Sequence, residues 1–393
     1  MDTIICDISA FLFWRTPPLV RLLALESEED DPLRQLVGPE RLGRLRREVV
    51  EASPFAGLAD GGASHAHFGD AARPLLNVLP LVAVFAHGPV DVLVSKPNER
   101  RASQLVRPRV WDGGVGESDV VRIAPGLLVV TPAFALQQIS ARATTIRAAM
   151  LASELCGCFS VYRGPEPVAQ FLQELSDEGS LPAYSGWGAA TDNDGRLTGL
   201  WLRPRLYTTS LLRRIAENAA SSRGRARLAE AAAIALEDAA SPFEAQAGLL
   251  LGLSRRRGGE AMPPFRLNQR VALPPAAAKI ARQRTCYCDI FWAQTASPAC
   301  AGLDVECQST SHHFGQRSSA SDADRATALQ LLGIEVMQLT HGVLTDPRSF
   351  AIFVAALAER LGMPPRPNFS QLTKAQLRLR RELFVDWELL PEV

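Results

Sequence analysis

Thr285-Cys286-Tyr287-Cys288-Asp289-Ile290-Phe291-Trp292 and Leu303-Asp304-Val305-Glu306-Cys307-Gln308 are the two runs on which the fold of this chain turns. Both are short, rich in aromatic or β-branched residues, and predict strands. Residues i and i+2 of a strand share a face, so Asp304, Glu306 and Gln308 fall on one side, with Val305 and Cys307 toward the core. A carboxylate buried in a sheet without a partner is costly. A line of acids on one strand therefore points to an exposed face, a basic partner or a metal. Asp289, in mid-strand, raises the same question. Two carboxylates from adjacent strands can hold Mg²⁺, a hard cation that takes oxygen ligands. Such an ion can activate water and neutralise charge on a phosphodiester.

Outward from these strands, Ser241-Pro242-Phe243-Glu244 reads as a capping box with Pro at the first helical position, predicting a helix through Leu253. Asp322 to Leu332 has helical spacing and ends at Gly333. Ile334 to Leu339 reads as a strand, and Arg348 to Leu361 as a helix stopped by Gly362 and Pro364-Pro365. The order helix, strand, strand, helix, strand, helix is an α/β unit. Arg255-Arg256-Arg257 follows the Glu244 helix and suits either a nucleic-acid phosphate or the helix C-terminus. Arg266, Arg270, Arg282 and Arg284 would extend that basic surface.

Asp289, then Glu306-Cys307-Gln308, then a helix and a strand, resembles the PD-(D/E)XK nuclease fold, most nearly its Vsr-like and DUF559-type members. The resemblance covers about residues 241–362. It implies a restriction-endonuclease-like αβββαβ core and Mg²⁺- or Mn²⁺-dependent phosphodiester hydrolysis, with DNA as the expected substrate. By that resemblance Asp289 and Glu306 hold the metal together with the Cys307 carbonyl. Gln308 positions the water and Glu244 supports the site. His312 and His313 match the loop that follows the acidic strand, and Asp322-Ala323-Asp324-Arg325 matches an Asp/Arg-rich helix start. Arg255, Arg256, Arg257, His312, His313 and Arg325 then form the nucleic-acid contacts. One departure matters: the family's Lys is Gln308 here, which can bond water but carries no charge. The alternative is a degenerate nuclease fold in a regulator that only binds DNA or protein.

The first half is α/β in a looser way. Thr3 to Cys6, Val90 to Val94, Val106 to Trp111 and Leu127 to Val130 predict strands. Thr131-Pro132 opens one helix, and another runs from about Ile146 to Leu155. Pro167 to Glu178 and Thr208 to Ala239 have helical character, while Gly186 to Gly199 is rich in turn formers. Residues 1–163 are thus expected as an α+β region, 164–240 as a mainly helical connector, and 241–393 as the nuclease-like unit. Cys6-Asp7-Ile8-Ser9-Ala10, Phe13-Trp14-Arg15, Arg109-Val110-Trp111 and Glu154-Leu155-Cys156-Gly157 resemble segments of proteins related to AbiEi-type antitoxins. That resemblance implies a regulatory role or a protein partner for the first half.

Each candidate also has a plain structural reading. Glu244 caps its helix, Glu306 makes a sheet-face ion pair, Asp304 is a strand-edge charge, and Asp322 and Asp324 favour a helix dipole. His312 and His313 are ordinary loop residues, and Phe11-Leu12-Phe13-Trp14 is core. The 393 residues carry 42 Lys plus Arg against 42 Asp plus Glu, which speaks against indiscriminate coating of polyanions but not against a local patch. Only Lys96, Lys279 and Lys374 are lysines, so the basic groups are mostly forked guanidinium donors. Seven Cys form no disulfide scaffold, and C-x-C spacing at Cys156/Cys158 and Cys286/Cys288 is short for structural zinc. The start lacks a signal-peptide pattern, and Leu75 to Val94 is too interrupted to span a membrane. The expectation is a cytoplasmic protein with reduced thiols.

Overall fold

The computed structural model describes residues 2–25, 37–59, 70–111, 113–192, 194–221, 223–308, 319–365 and 371–387. The fold is α/β. Strand β1 (Thr3–Ile5) is the middle of a five-stranded sheet with β2 (Val90–Val94), β3 (Val106–Val110), β4 (Val120–Ala124) and β5 (Leu127–Val130), in the order β3-β2-β1-β5-β4. β1 runs parallel to β5 and antiparallel to β2. Chain direction reverses at once into α1 (Asp7–Arg15), through Asp7 at φ 56°. That left-handed conformation is costly for a non-glycine residue. It is held on both sides: the Asp7 amide donates to Gln138 Oε1 at 2.8 Å, and its carboxylate accepts Arg142 Nη1 at 2.7 Å.

Helices α2 (Pro132–Ser140) and α3 (Thr145–Cys156) are buried along most of their length. They form because Thr-Pro and Thr-Thr starts precede Ala/Leu-rich runs. Pro132 stands at the first helical position of α2, and Thr144 caps α3 by accepting the Arg147 amide at 3.2 Å. After β6 (Phe159–Val161) comes α4 (Glu166–Asp177), whose Val168, Phe171, Leu172 and Leu175 form one buried stripe.

The turn formers of 186–199 do not mark a plain loop. They close a hairpin, β7 (Gly188–Thr191) against β8 (Leu197–Leu202), with Asp192 Oδ1 accepting the Asp194 and Arg196 amides at 2.9 Å. β8 also pairs with β6, so a three-stranded antiparallel sheet crosses the boundary expected at 163. Helices α5 (Thr209–Asn218) and α6 (Arg225–Ile234) complete the middle, as their Ala-rich sequence predicts.

The last third contains α7 (Pro242–Gly252), β9 (Arg266–Ala272), α8 (Pro275–Ala281), β10 (Thr285–Trp292), β11 (Gly302–Gln308), α9 (Ser319–Gln330), β12 (Ile334–Thr340), α10 (Pro347–Arg360) and α11 (Lys374–Leu383). With α8 set aside, this order is αβββαβ. The sheet order is β12-β11-β10-β9; β11 and β12 are parallel and the other pairs antiparallel. β9 is the strand that the residue pattern hides. Arg266-Leu267-Asn268-Gln269-Arg270 is polar because it forms a sheet edge, where charge discourages further pairing.

One apolar core runs from Ile5 to Trp387, and a smaller one lies under α8 and α9 around Ala277, Cys286, Cys288, Ala328 and Leu329. α11 fastens the last third to the first half: Thr144 Oγ1 donates to Glu382 at 2.6 Å, and Gln246 Nε2 donates to the Leu383 carbonyl at 2.8 Å. Just beyond it, the Trp387 carbonyl accepts from Arg15 Nη1 at 2.7 Å. Arg15 also forms a buried ion pair with Glu154, which joins the Phe13–Arg15 and Glu154–Gly157 segments. Among the described residues, no helix is long and apolar enough to cross a membrane.

Candidate functional site

Glu244 lies in the first turn of α7 and is 6 % exposed. Its amide donates to Ser241 Oγ at 3.1 Å, as a capping residue's should. The carboxylate does not return to the cap amide. It accepts from the Ala240 amide (2.8 Å), Ser241 Oγ (3.0 Å) and Asn268 Nδ2 (2.6 Å). Burial, and then the charge of Asp289, push its pKa up to about 8 in spite of these donors.

Asp289 accepts the Cys307 amide at 2.8 Å. Burial raises the Cys307 thiol well above its ordinary pKa, and the charges of Asp289 and Glu244 add to the rise. Glu244, Asp289 and Cys307 therefore come together, on the side of the sheet that α7 covers.

Glu306 does not join them. Its carboxylate pairs with Arg325 of α9. Registers confirm the face: Asp304 lies opposite Phe291 and Val336, and all three lie on the side of the smaller core under α9. Val305 and Cys307 alternate onto the main core. Asp304 and Glu306 thus share a face as the period-two rule requires, and it is the face away from Glu244. Asp304 is no strand-edge charge. β11 is an interior strand, and Asp304 is fully buried. Burial drives its pKa up to about 7, with Arg325 pulling the other way.

The separation has a local cause. Cys288 belongs to the smaller core, and Ile290, two residues on, to the main one. In the paired strand, Val271 and Leu267 switch cores in the same way. Both strands change faces where Asn268 and Asp289 lie, and Asn268 carries φ 46°. Its side chain then reaches the Asp238 carbonyl at 2.8 Å as well as Glu244. Strict alternation fails at this point, as at a bulge, and turns Asp289 toward α7.

The other expected contacts divide likewise. Gln308 is half-buried at the end of β11, opposite Thr340. Arg325 is 9 % exposed and engaged by Glu306, so it is a structural ion-pair partner and not a surface contact for phosphate. Arg255 and Arg256 are exposed on a short turn of 3₁₀ helix; Arg257 bonds Glu230 at 2.6 Å. Arg266, Arg270, Arg282 and Arg284 are exposed around the β9 edge. His312 and His313 lie outside the described residues. None of the seven cysteines forms a disulfide. Cys286 and Cys288 share a buried face.

Asp289 and Glu306, on opposite faces, do not fit a single divalent ion, and among the described residues no three His, Cys, Asp or Glu side chains converge as metal ligands. The half-buried Asn268 amide had no signal in the residue pattern, since its strand reads as surface; Asp304 had one, as a strand acid that calls for a basic partner, but also reads as an edge charge. No family model, curated protein or solved structure matches the chain.

Proposed function

We propose that this protein binds nucleic acid through surface cations on a nuclease-like fold and does not hydrolyse it with a metal ion. One contrast carries the reading. The acids that a metal-dependent nuclease would aim at one ion are each tied to protein groups on opposite sheet faces. Arg255 and Arg256, by contrast, remain exposed. This is the behaviour of a regulator of the antitoxin kind, with the first half available for a protein partner.

The rival reading is a Mg²⁺- or Mn²⁺-dependent endonuclease, and the nearness of Asp289 to Glu244 favours it. A cleavage panel separates the two. Labelled duplex DNA, single-stranded DNA and RNA are incubated with Mg²⁺ or Mn²⁺ and wild type, Asp289→Ala or Glu306→Ala. The expected result is no metal-dependent cutting, oligonucleotide binding that persists in EDTA, and a melting temperature unmoved by Mn²⁺. An ion bound only to the folded state would raise that temperature. Cutting by wild type that both variants abolish would establish the nuclease.

A further inference from the structure

Where the first half meets the last third, a cleft of about 600 Å³ opens between the start of α3, α6, the Arg255–Arg257 turn and α11. Six cations line it: Arg142, Arg227, Arg256, Arg257, Lys374 and Arg378. Only two acids oppose them, Glu230 and Glu382. Glu382 bonds Thr144 Oγ1 at 2.6 Å and Arg378 Nε at 3.0 Å, and Glu230 bonds Arg257. Each acid is thus already matched. Arg142 is held by Asp7, and Arg227 bonds the Ala143 carbonyl at 2.6 Å. Arg256 and Lys374 are exposed and make no ion pair among the described residues.

The cleft continues. A second groove of about 380 Å³ adjoins it along α11, lined by Glu382, already bonded to Thr144 and Arg378, and by Lys374, Leu377, Arg378 and Arg381. The last four are the exposed ones. Those positions follow i, i+3, i+4, i+7, so they form one exposed helix face. From Lys374 to Arg381 the helix rises about 10 Å. A free phosphate would occupy one end of such a track, whereas a polymer with charges repeated along its backbone engages it throughout. At about 600 Å³ the cleft has the volume of a small-ligand pocket, which one strand's backbone can enter and a whole duplex cannot. Leu377, 43 % exposed among the cations, offers an apolar contact to a sugar or base.

We infer that this cleft and the exposed face of α11 hold the phosphodiester backbone of a single nucleic-acid strand, with Arg256, Lys374, Arg378 and Arg381 as its main contacts. The inference rests on the reading of the protein as a nucleic-acid binder, and it moves the binding surface from the sheet to the junction of the two halves.

The test is fluorescence polarisation of a labelled 12-nucleotide strand, DNA or RNA, with the full chain. Arg256→Glu/Lys374→Glu tests the cleft. Arg266→Glu/Arg270→Glu tests the β9 edge, and Arg213→Glu/Arg214→Glu on exposed α5 controls for charge. Circular dichroism and melting of each variant establish that it folds. The cleft variant should bind at least 10-fold more weakly, and its log–log salt slope should fall by about 1.4, at roughly 0.7 per phosphate contact on a single strand. The α5 control should stay within twofold, and inorganic phosphate at 10 mM should not displace the strand. Binding that survives in the cleft variant and is lost in the β9 variant overturns the cleft and leaves the binding function standing. Equal displacement by an oligoglutamate of the same length overturns nucleic acid in favour of an acidic protein partner. Wild type that binds neither strand in 50 mM salt removes the binding function itself, and the cleft with it.

Discussion

Replacing Glu154 by Gln is the sharpest available test of how the first half is held together. Glu154 takes Arg15 Nε at 2.8 Å and 3.1 Å on its two oxygens, and a third bond from Arg15 Nη2. It also accepts the Val161 amide at 3.3 Å. Both side chains are almost wholly buried, at 3 % and 4 % exposure. Gln is isosteric but neutral, so the variant keeps the volume and leaves the Arg15 guanidinium buried without a counter-charge. Breaking a buried pair in this way costs about 3–5 kcal/mol. For a chain of this size that corresponds to a fall in melting temperature of roughly 4–6 °C. Removing both charges is a different perturbation. Arg15→Met with Glu154→Leu replaces the pair by apolar groups of similar volume, a change that is often neutral. The double variant should therefore be more stable than Glu154→Gln alone. Urea unfolding followed by far-ultraviolet circular dichroism measures all of these. A loss below about 1 kcal/mol for Glu154→Gln, or a double variant as weak as the summed singles, would refute the view that an unpaired buried charge dominates.

Other perturbations have equally definite outcomes. The raised pKa of Glu244 means that the folded state holds a proton the unfolded chain gives up, so stability is complete below about pH 4.5 and declines as pH rises toward 8. Glu244→Gln removes that slope, and its melting temperature should gain on wild type steadily from pH 5 to pH 8. Asp304 follows the same sign with a lower limit near pH 7, so Asp304→Asn should flatten the curve between about pH 4 and pH 7. Gly224 has φ 75°, and an added Cβ would lie 2.1 Å from the Gln137 carbonyl oxygen. Gly224→Ala should cost well over the roughly 1 kcal/mol of backbone strain alone, read from the urea midpoint. Arg325→Met should destabilise by about 3–5 kcal/mol, because it leaves Glu306 beside buried Asp304; Glu306→Gln in the same background should recover part of that loss.

Much of the last third was legible because its elements obey single rules. Ser241-Pro242 starts a helix, Gly333 and Gly362 end helices with φ 75° and 68°, and β10 and β11 carry the expected apolar residues. The face of Glu306 was legible too, since alternation holds along β11. The face of Asp289 was not. It depends on two strands changing sides together at Asn268 and Asp289, and no periodicity within either strand encodes a shift made by the pair. β9 was hidden for a related reason: an edge strand needs few apolar residues, and Arg266 and Arg270 read as surface alone. In the middle, Asp192-Asn193-Asp194-Gly195 announced a turn, but the flanking Gly188-Ala189-Ala190 is a weak strand sequence that pairing with β8 stabilises. Arg256 was legible as a cation. Its neighbours Lys374 and Arg142 were not, because they arrive from distant parts of the chain.

The bond from Arg15 to the Trp387 carbonyl spans 372 residues of sequence. During synthesis, helix α1 emerges well before the segment that carries the acceptor of one of its buried donors. The first half must therefore wait on the ribosome with a charged group unsatisfied or still wet. Final consolidation is a late, long-range event, slow in the manner of other high-contact-order folds. A product stalled before Trp387 would leave Arg15 Nη1 without that acceptor.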